Sequence, residues 1–215
     1  MPFQLLSSTA LENITVSEQQ TSKKGQKFCT IQFNGEQPLW QLSSEPLFSP
    51  FQAGVFQKDS ATETRQNLVL HLTDPARETL EAFDTYFAEV LKMHAPRAQY
   101  HPLVKKPDDP SFPCSIQLKV NALGPSACRF WREDQTPLGD VRSVQTAGAK
   151  VVPIICFQKA WFFGAQCGVT AELRAAVISQ EKGSSAIDIF AFSTAAVRSC
   201  STAVIIPAAT SILEV

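Results

Sequence analysis

The sequence has no hydrophobic run near the roughly 18 residues that a membrane-spanning helix requires, so no membrane span is expected. Met1–Leu6 has no positively charged start before an apolar stretch, which predicts that no secretory signal is present. The six cysteines form no Cys-x-x-Cys pair, and the three histidines have no cysteine or carboxylate at metal-ligand spacing. We therefore predict an intracellular protein of a reducing compartment, nucleus or cytoplasm, with cysteines as small buried hydrophobes and with neither metal nor cofactor.

Motifs of the common enzyme classes are also missing. Gly124-Pro125-Ser126-Ala127-Cys128 lacks the final glycine of a nucleophile elbow, no glycine-rich phosphate loop precedes the helix, and no His-Glu-x-x-His occurs. The sequence therefore predicts a protein that is not an enzyme. One alternative is a metal-dependent nuclease, because Asp108 precedes a strand with Gln117-Leu118-Lys119, a degenerate acidic-then-Glu-x-Lys pattern. Gln117 is a poorer cation ligand than the carboxylate that this chemistry requires.

The charge is balanced overall but uneven along the chain. The net charge is −1, which argues against a wholesale basic binder such as a histone. Residues 1–96 carry 7 basic and 11 acidic side chains, residues 97–176 carry 10 and 6, and residues 177–215 carry 2 and 3. A basic middle segment is thus concealed by the neutral total.

Hydrophobic periodicity predicts several strands and one helix. Cys114–Val120 and Cys167–Ile178 alternate as strands do, and Asn34-Gly35 between two strand-like runs predicts a hairpin. The helix is predicted over 75–94, with Asp74 as its cap and a buried stripe of Leu80, Phe83, Phe87, Val90 and Leu91. The pattern favours a mainly β, α+β fold or a small barrel.

The chain divides into three parts by composition. Residues 1–22 are polar and predict a leader or first strand. Residues 23–182 predict one domain that holds the predicted strands and the helix, and residues 183–215 predict an apolar extension. The extension has few charges, so a second alternative is a structural or interaction protein that assembles through this tail.

Basic and aromatic residues alternate in three places: Tyr100 to Lys106, Arg129 to Arg132 and Lys159 to Phe162. Single-stranded nucleic acid is bound this way, since cations follow the phosphates while flat side chains stack on bases. The predicted binding residues are Tyr100, Lys105, Lys106, Lys119, Arg129, Trp131, Arg132 and Trp161. The predicted partner is single-stranded DNA, with RNA left open because no residue identifies a 2′-hydroxyl contact.

The order of the motifs resembles the small OB-fold single-stranded DNA-binding proteins of tailed phages and of large DNA viruses of algae and protists. The resemblance covers roughly residues 20–180. Its pieces are Lys27–Phe33, Pro50-Phe51-Gln52-Ala53-Gly54, the strand at 68–72, the helix, Tyr100–Lys105, a Phe-Pro before the strand that ends at Lys119-Val120, and Trp161-Phe162 with Gly164 and Cys167-Gly168-Val169.

The resemblance implies an OB-fold-like barrel with an inserted helix that binds single-stranded DNA without sequence preference in replication, recombination or repair. Tyr100, Lys105 and Lys119 match the family pattern best, whereas Trp131 and Trp161 are stacking candidates on local grounds. Phage members end in an acidic tail that contacts replication proteins, whereas this chain ends in the nearly uncharged Ser211–Val215. That departure puts recruitment of replication proteins in doubt and raises the alternative of a homo-oligomer.

Overall fold

The computed structural model describes residues 3–37, 39–54, 65–139 and 141–179, which form one α-helix, a 3₁₀ helix and fourteen strands. The α-helix, α1, spans Asp74–His94, and the 3₁₀ helix spans Ser8–Asn13. The strands are β1 (Gln4–Leu5), β2 (Ile14–Val16), β3 (Gln20–Thr21), β4 (Lys27–Phe33), β5 (Trp40–Gln41), β6 (Leu47–Phe48), β7 (Arg65–His71), β8 (Gln99–His101), β9 (Val104–Lys105), β10 (Ser115–Asn121), β11 (Arg129–Arg132), β12 (Pro137–Gly139), β13 (Lys150–Phe163) and β14 (Gln166–Ser179).

The strand pairings close on themselves. β13 pairs with β6, β6 with β7, β7 with β10, β10 with β14, and β14 returns to β13. The contact between β10 and β14 is parallel, and the other four are antiparallel. This five-strand circuit, with α1 between β7 and β8, confirms the predicted mainly β fold: a small OB-like barrel with one inserted helix.

The helix prediction is confirmed in its position and its buried face. Leu80, Phe83, Phe87 and Leu91 are fully buried, whereas Val90, the fifth residue of the predicted stripe, is half-buried. The rings of Phe83 and Phe87 lie 5.4 and 5.8 Å from that of Phe157 on β13, so the helix packs onto the barrel through aromatic contacts.

The predicted cap of α1 is wrong. Thr73 occupies the N-cap position, and no side chain makes a capping hydrogen bond there. Asp74 lies in the first turn instead and forms a salt bridge of 3.1 Å with Arg77. A carboxylate in the first turn is stabilised by the helix dipole without serving as the cap.

The Asn34-Gly35 turn is present, but it does not join two long paired strands. Both residues have positive φ, 50° and 80°, as a tight hairpin turn requires. The hairpin stops after one bridge, between Phe33 and Glu36. β5 pairs with β13 rather than with β4, because this placement buries Trp40, whose ring contacts Phe33 edge-on at 4.8 Å.

The long alternating strand 167–178 does not keep one face inward throughout. The pairing of β13 with β14 shifts register between Ile154 and Ile155, and such a bulge reverses the side-chain alternation. Leu173 and Ala176 therefore both face the main core, while Ala175 and Val177 face away from it. β10 follows its prediction, with every second side chain buried: Ile116, Leu118 and Val120.

A second, smaller apolar cluster involves the N-terminal part of the chain. It consists of Phe3, Trp131, Val152, Ile154, Ala175 and Val177. Leu6, Ala10 and Ile14 are also buried, in the main core. The three-part domain division stays a prediction, and the extension at 183–215 lies outside the described residues.

The cysteine environment agrees with the sequence for most positions. The five described cysteines are free thiols, and all except Cys114 are buried. Among the described residues, no helix combines the length and apolarity that crossing a membrane requires.

Candidate nucleic-acid interface

A cleft of about 440 Å³ lies on the outer face of the barrel, where five strands contribute side chains. β4, β7, β10, β13 and β14 meet here because β13 pairs with both β4 and β14, while β10 joins β7 to β14. The lining residues are Ser22, Gln26, Phe28, Arg65, Lys119, Asn121, Ser126, Gln158, Lys159, Trp161, Thr170 and Glu172.

Two aromatic residues of this cleft occupy opposite positions on neighbouring strands. Trp161 on β13 is the direct cross-strand partner of Phe28 on β4, and both side chains are half-buried. On its other side Trp161 pairs with Gly168, and the indole lies over this glycine: a Cβ there would be 2.8 Å from Cζ2. The His101 ring is 5.9 Å away. The indole is therefore supported from beneath by the sheet.

Positive charge surrounds these rings. The Lys159 ammonium lies 4.7 Å from the centroid of the Phe28 ring, within cation–π range. Lys119 and Arg65 lie on neighbouring strands, β10 and β7. Among the residues that the structure describes, none of these three cations forms a salt bridge. Three cations without a carboxylate partner are available to an anionic ligand.

The pKa of Lys119 is lowered in this environment. Desolvation of the ammonium inside the cleft is the main cause that lowers it below the usual lysine range, although the side chain as a whole is exposed. The neighbouring Arg65 lowers it further, and Glu172 opposes the shift. Both lowering effects disfavour the charged ammonium. A phosphate placed beside Lys119 and Arg65 therefore relieves an existing repulsion.

Among the described lining residues of the cleft, the carboxylate is Glu172, and it is held by its own partners. Glu172 is buried and accepts hydrogen bonds from the Asn121 amide and from Arg174 Nη1, the latter at 3.0 Å. Arg174 forms a salt bridge with Glu172, so the attraction of this carboxylate for Lys119 is shared with the arginine. Burial raises the pKa of the nearby Cys156 thiol to about 12, which leaves the thiol protonated and unreactive.

Of the eight predicted binding residues, the structure brings Lys119 and Trp161 together in the cleft. Three others lie near α1. The Tyr100 hydroxyl donates to Asp84 Oδ1 at 2.8 Å, Lys105 Nζ donates to the Pro102 carbonyl at 2.8 Å, and Lys106 pairs with Glu81 at 2.8 Å. The contacts of Tyr100 and Lys106 hold the 99–106 segment against the helix, and that of Lys105 lies within the segment.

The remaining three, Arg129, Trp131 and Arg132, lie on β11 at the far end of β14. Arg132 pairs with Ile178, ten positions along β14 from Gly168, which is up to roughly 33 Å along an extended strand. Both arginines are exposed, but Trp131 is only 8% exposed because Phe3 and Ile154 pack in the same cluster. The assignment of these eight residues to one binding site stays a prediction, and the structure separates them into three groups.

The predicted binding residues did not include Phe28, Arg65 or Lys159, although the run from Lys159 to Phe162 had been singled out for its alternation of basic and aromatic residues. Arg65 belongs to the acidic first segment of the chain, so averaging charge along the sequence concealed it. Phe28 lies in the run Lys27–Phe33, which was interpreted only as a strand. The alternation Lys159-x-Trp161-x-Phe163 is the signal that could have found Lys159, because alternate residues of a strand share one face.

The residues of the nuclease alternative do not form a recognisable metal site. Asp108 lies in the exposed loop between β9 and β10, and Gln117 and Lys119 are exposed on β10. Across residues 3–37, 39–54, 65–139 and 141–179, no group of three or more histidine, cysteine, aspartate or glutamate side chains is placed to hold a metal ion.

No protein-family model matches the sequence, and no curated protein matches it. Three solved structures of a single-stranded DNA-binding protein from bacteriophage Enc34 are similar to this chain. The C-terminally truncated form has a TM-score of 0.47 and 9% identity over 78% of this chain and 96% of that one. The complex with single-stranded DNA has a TM-score of 0.44 and 8% identity over 78% of this chain and 97% of that one. A third structure has a TM-score of 0.44 and 10% identity over 79% of this chain and 93% of that one. The sequence resemblance named the same class of protein.

Proposed function

We propose that this protein binds single-stranded DNA without sequence preference and without catalysis, through the cleft on the outer face of the barrel. The observation that carries the proposal is the cross-strand pair of Trp161 and Phe28, set between the unpaired cations Lys159, Lys119 and Arg65. Unpaired bases and backbone phosphates are the ligand that needs both kinds of group.

The chemistry divides between the rim and the floor of the cleft. Phosphates lie against Lys159, Lys119 and Arg65, and their attraction is electrostatic and independent of sequence. A base stacks on the open face of Trp161, whose other face rests on Gly168. Stacking contributes about 1–3 kcal/mol per base and accepts any base, because each has a flat π surface. A duplex keeps its base faces covered and makes only the phosphate contacts.

The proposed cellular role follows from where unpaired DNA strands occur. Unpaired strands arise during DNA replication, recombination and repair, and a sequence-independent binder acts on all of them. Contacts with replication proteins and self-association of the protein belong to the same proposal.

Tryptophan fluorescence tests the binding directly. Trp40 and Trp131 are 1% and 8% exposed, so Trp161 is the tryptophan that a base in this cleft can reach. We expect oligo-dT to quench the emission at low salt, Trp131→Phe to keep the quenching, and Trp161→Phe to lose most of it. The absence of any binding at low salt, by quenching or by anisotropy of a labelled oligonucleotide, would refute the proposal.

The salt dependence of the affinity distinguishes phosphate binding from nonspecific adsorption. Log affinity falls linearly with log salt at a slope of about −0.7 per phosphate neutralised on a single strand. We expect Lys119→Gln to reduce that slope by about 0.7. Lys92→Gln, an exposed lysine on α1, is the matched control that leaves the slope unchanged. An oligo-rU series run in parallel determines whether RNA binds as well.

A further inference from the structure

A second depression lies beside the cleft, at the tips of two hairpins. Its volume is about 640 Å³, and Gln26 lines both it and the cleft. The lining residues are Lys24, Gly25, Gln26, Lys27, Phe162, Phe163 and Gly164. The two hairpin tips meet here because Lys27 of β4 pairs directly with Phe162 of β13.

Phe163 is the feature of this depression that the fold does not explain. Its side chain is 75% exposed, whereas its neighbour Phe162 is buried in the core. A phenylalanine at a hairpin tip loses the free energy of apolar burial unless a ligand covers it.

The surroundings of Phe163 match those of Trp161. Lys159, Trp161 and Phe163 occupy alternate positions of β13, so Trp161 and Phe163 follow one another at about 7 Å along the same strand. Lys24 and Lys27 are exposed beside Phe163, and within the described part of the chain neither forms a salt bridge. Here too an exposed ring lies next to free cations.

We infer that Phe163, with Lys24 and Lys27, forms a second stacking subsite for the same single strand. This inference rests on the proposed function. The occupant is an unpaired base rather than an apolar protein segment, because the two lysines offer the complementary charge for its phosphates and because the depression adjoins the cleft, with Gln26 lining both. The strand then runs along β13, with successive contacts at Trp161 and Phe163.

Photo-crosslinking maps the path of the strand. Oligo-dT carrying one 5-iododeoxyuridine, moved one position at a time, is irradiated with the full chain, and the crosslinked residue is identified by peptide mass. We expect crosslinks to Trp161 and to Phe163 from different positions, in a fixed order along the oligonucleotide. Crosslinks to Trp161 without any to Phe163 overturn this inference and leave the proposed function standing. Absence of crosslinks together with absence of binding overturns both.

Substitution at Phe163 tests stacking against simple apolar contact. We expect Phe163→Ala and Phe163→Leu each to weaken oligo-dT binding about tenfold, and Phe163→Tyr to keep it, because stacking needs a flat ring. The exposed Phe112, on the loop before β10, provides the matched control Phe112→Ala with wild-type affinity. Wild-type affinity of Phe163→Leu contradicts the inference. A change in the oligomeric state of the DNA-free protein in the Phe163→Ala variant also contradicts the inference, since Phe163 would then belong to a contact between copies.

Discussion

Gly168 controls the position of the indole in the proposed site, and a single methyl group there tests the reasoning. A Cβ at this position would lie 2.8 Å from Cζ2 and 3.1 Å from Cε2 of Trp161, and 3.1 Å from the His101 carbonyl oxygen. Carbon atoms in good contact are about 3.5–4.0 Å apart, so the methyl overlaps the ring by about 0.7 Å. The indole must therefore move away from the sheet, while the His101 carbonyl needs to move by only a few tenths of an ångström.

We expect Gly168→Ala to fold and to bind oligo-dT more weakly. Loss of one stacked base is equivalent to about 1–3 kcal/mol, or roughly 5- to 140-fold in dissociation constant. The assay is fluorescence anisotropy of a labelled oligo-dT at fixed low salt, with circular dichroism to establish folding. Gly54→Ala is the matched control, because among the described residues the one contact within 4 Å of its Cβ is the Gln52 carbonyl at 3.7 Å. This variant should bind as wild type does.

A double-mutant cycle makes the test specific to the indole. If the methyl acts by displacing Trp161, then Gly168→Ala should have little further effect in a Trp161→Ala background. Additive losses in the double variant would refute this explanation, since the methyl would then act on another part of the fold. Wild-type affinity of Gly168→Ala, with an altered tryptophan emission, would show that the indole does not bind a base.

Further outcomes concern stability and pH. Asp84→Asn should lower the free energy of unfolding by about 2–3 kcal/mol in a urea titration, because one amide oxygen cannot replace the two carboxylate oxygens that accept from Tyr100, Leu103 and Val104. Phe157→Ala should cost about 3–5 kcal/mol by the same measurement, since this ring packs against both Phe83 and Phe87, and an equal stability would refute the packing described for α1. Oligo-dT affinity should fall as pH rises through the lowered pKa of Lys119, because only the ammonium attracts phosphate, and the fall should begin below the usual lysine range. Lys119→Gln should remove that part of the pH profile, and an unchanged profile in this variant would show that another group titrates.

Much of the secondary structure could be predicted because it is encoded over short distances along the chain. The burial stripe of α1 and the alternation of β10 are periodic within one element, and the Asn34-Gly35 turn needs two residues that accept positive φ. The errors arose where a distant partner decided the outcome. Trp40 joined β13 rather than completing the hairpin, and the bulge at Ile154 and Ile155 reversed the faces of β14.

The binding-site prediction illustrates the same division. The sequence indicated that aromatic and basic residues alternate on strands, but it could not rank Trp131 against Trp161, because both have aromatic and basic neighbours along the chain. The structure shows Trp131 in an apolar cluster with Phe3, more than a hundred residues away in sequence, and Trp161 half-exposed beside Phe28.

The sequence alone therefore determined that this is a mainly β protein with one amphipathic helix and with strand-borne cations and aromatic rings. The tertiary structure alone decided which of those groups share a surface. The physical reason is that periodicity reports which side of an element is buried, whereas a cleft depends on strand pairing between residues far apart in the chain. Here that pairing places Phe28, Arg65, Lys119 and Trp161 around one cleft.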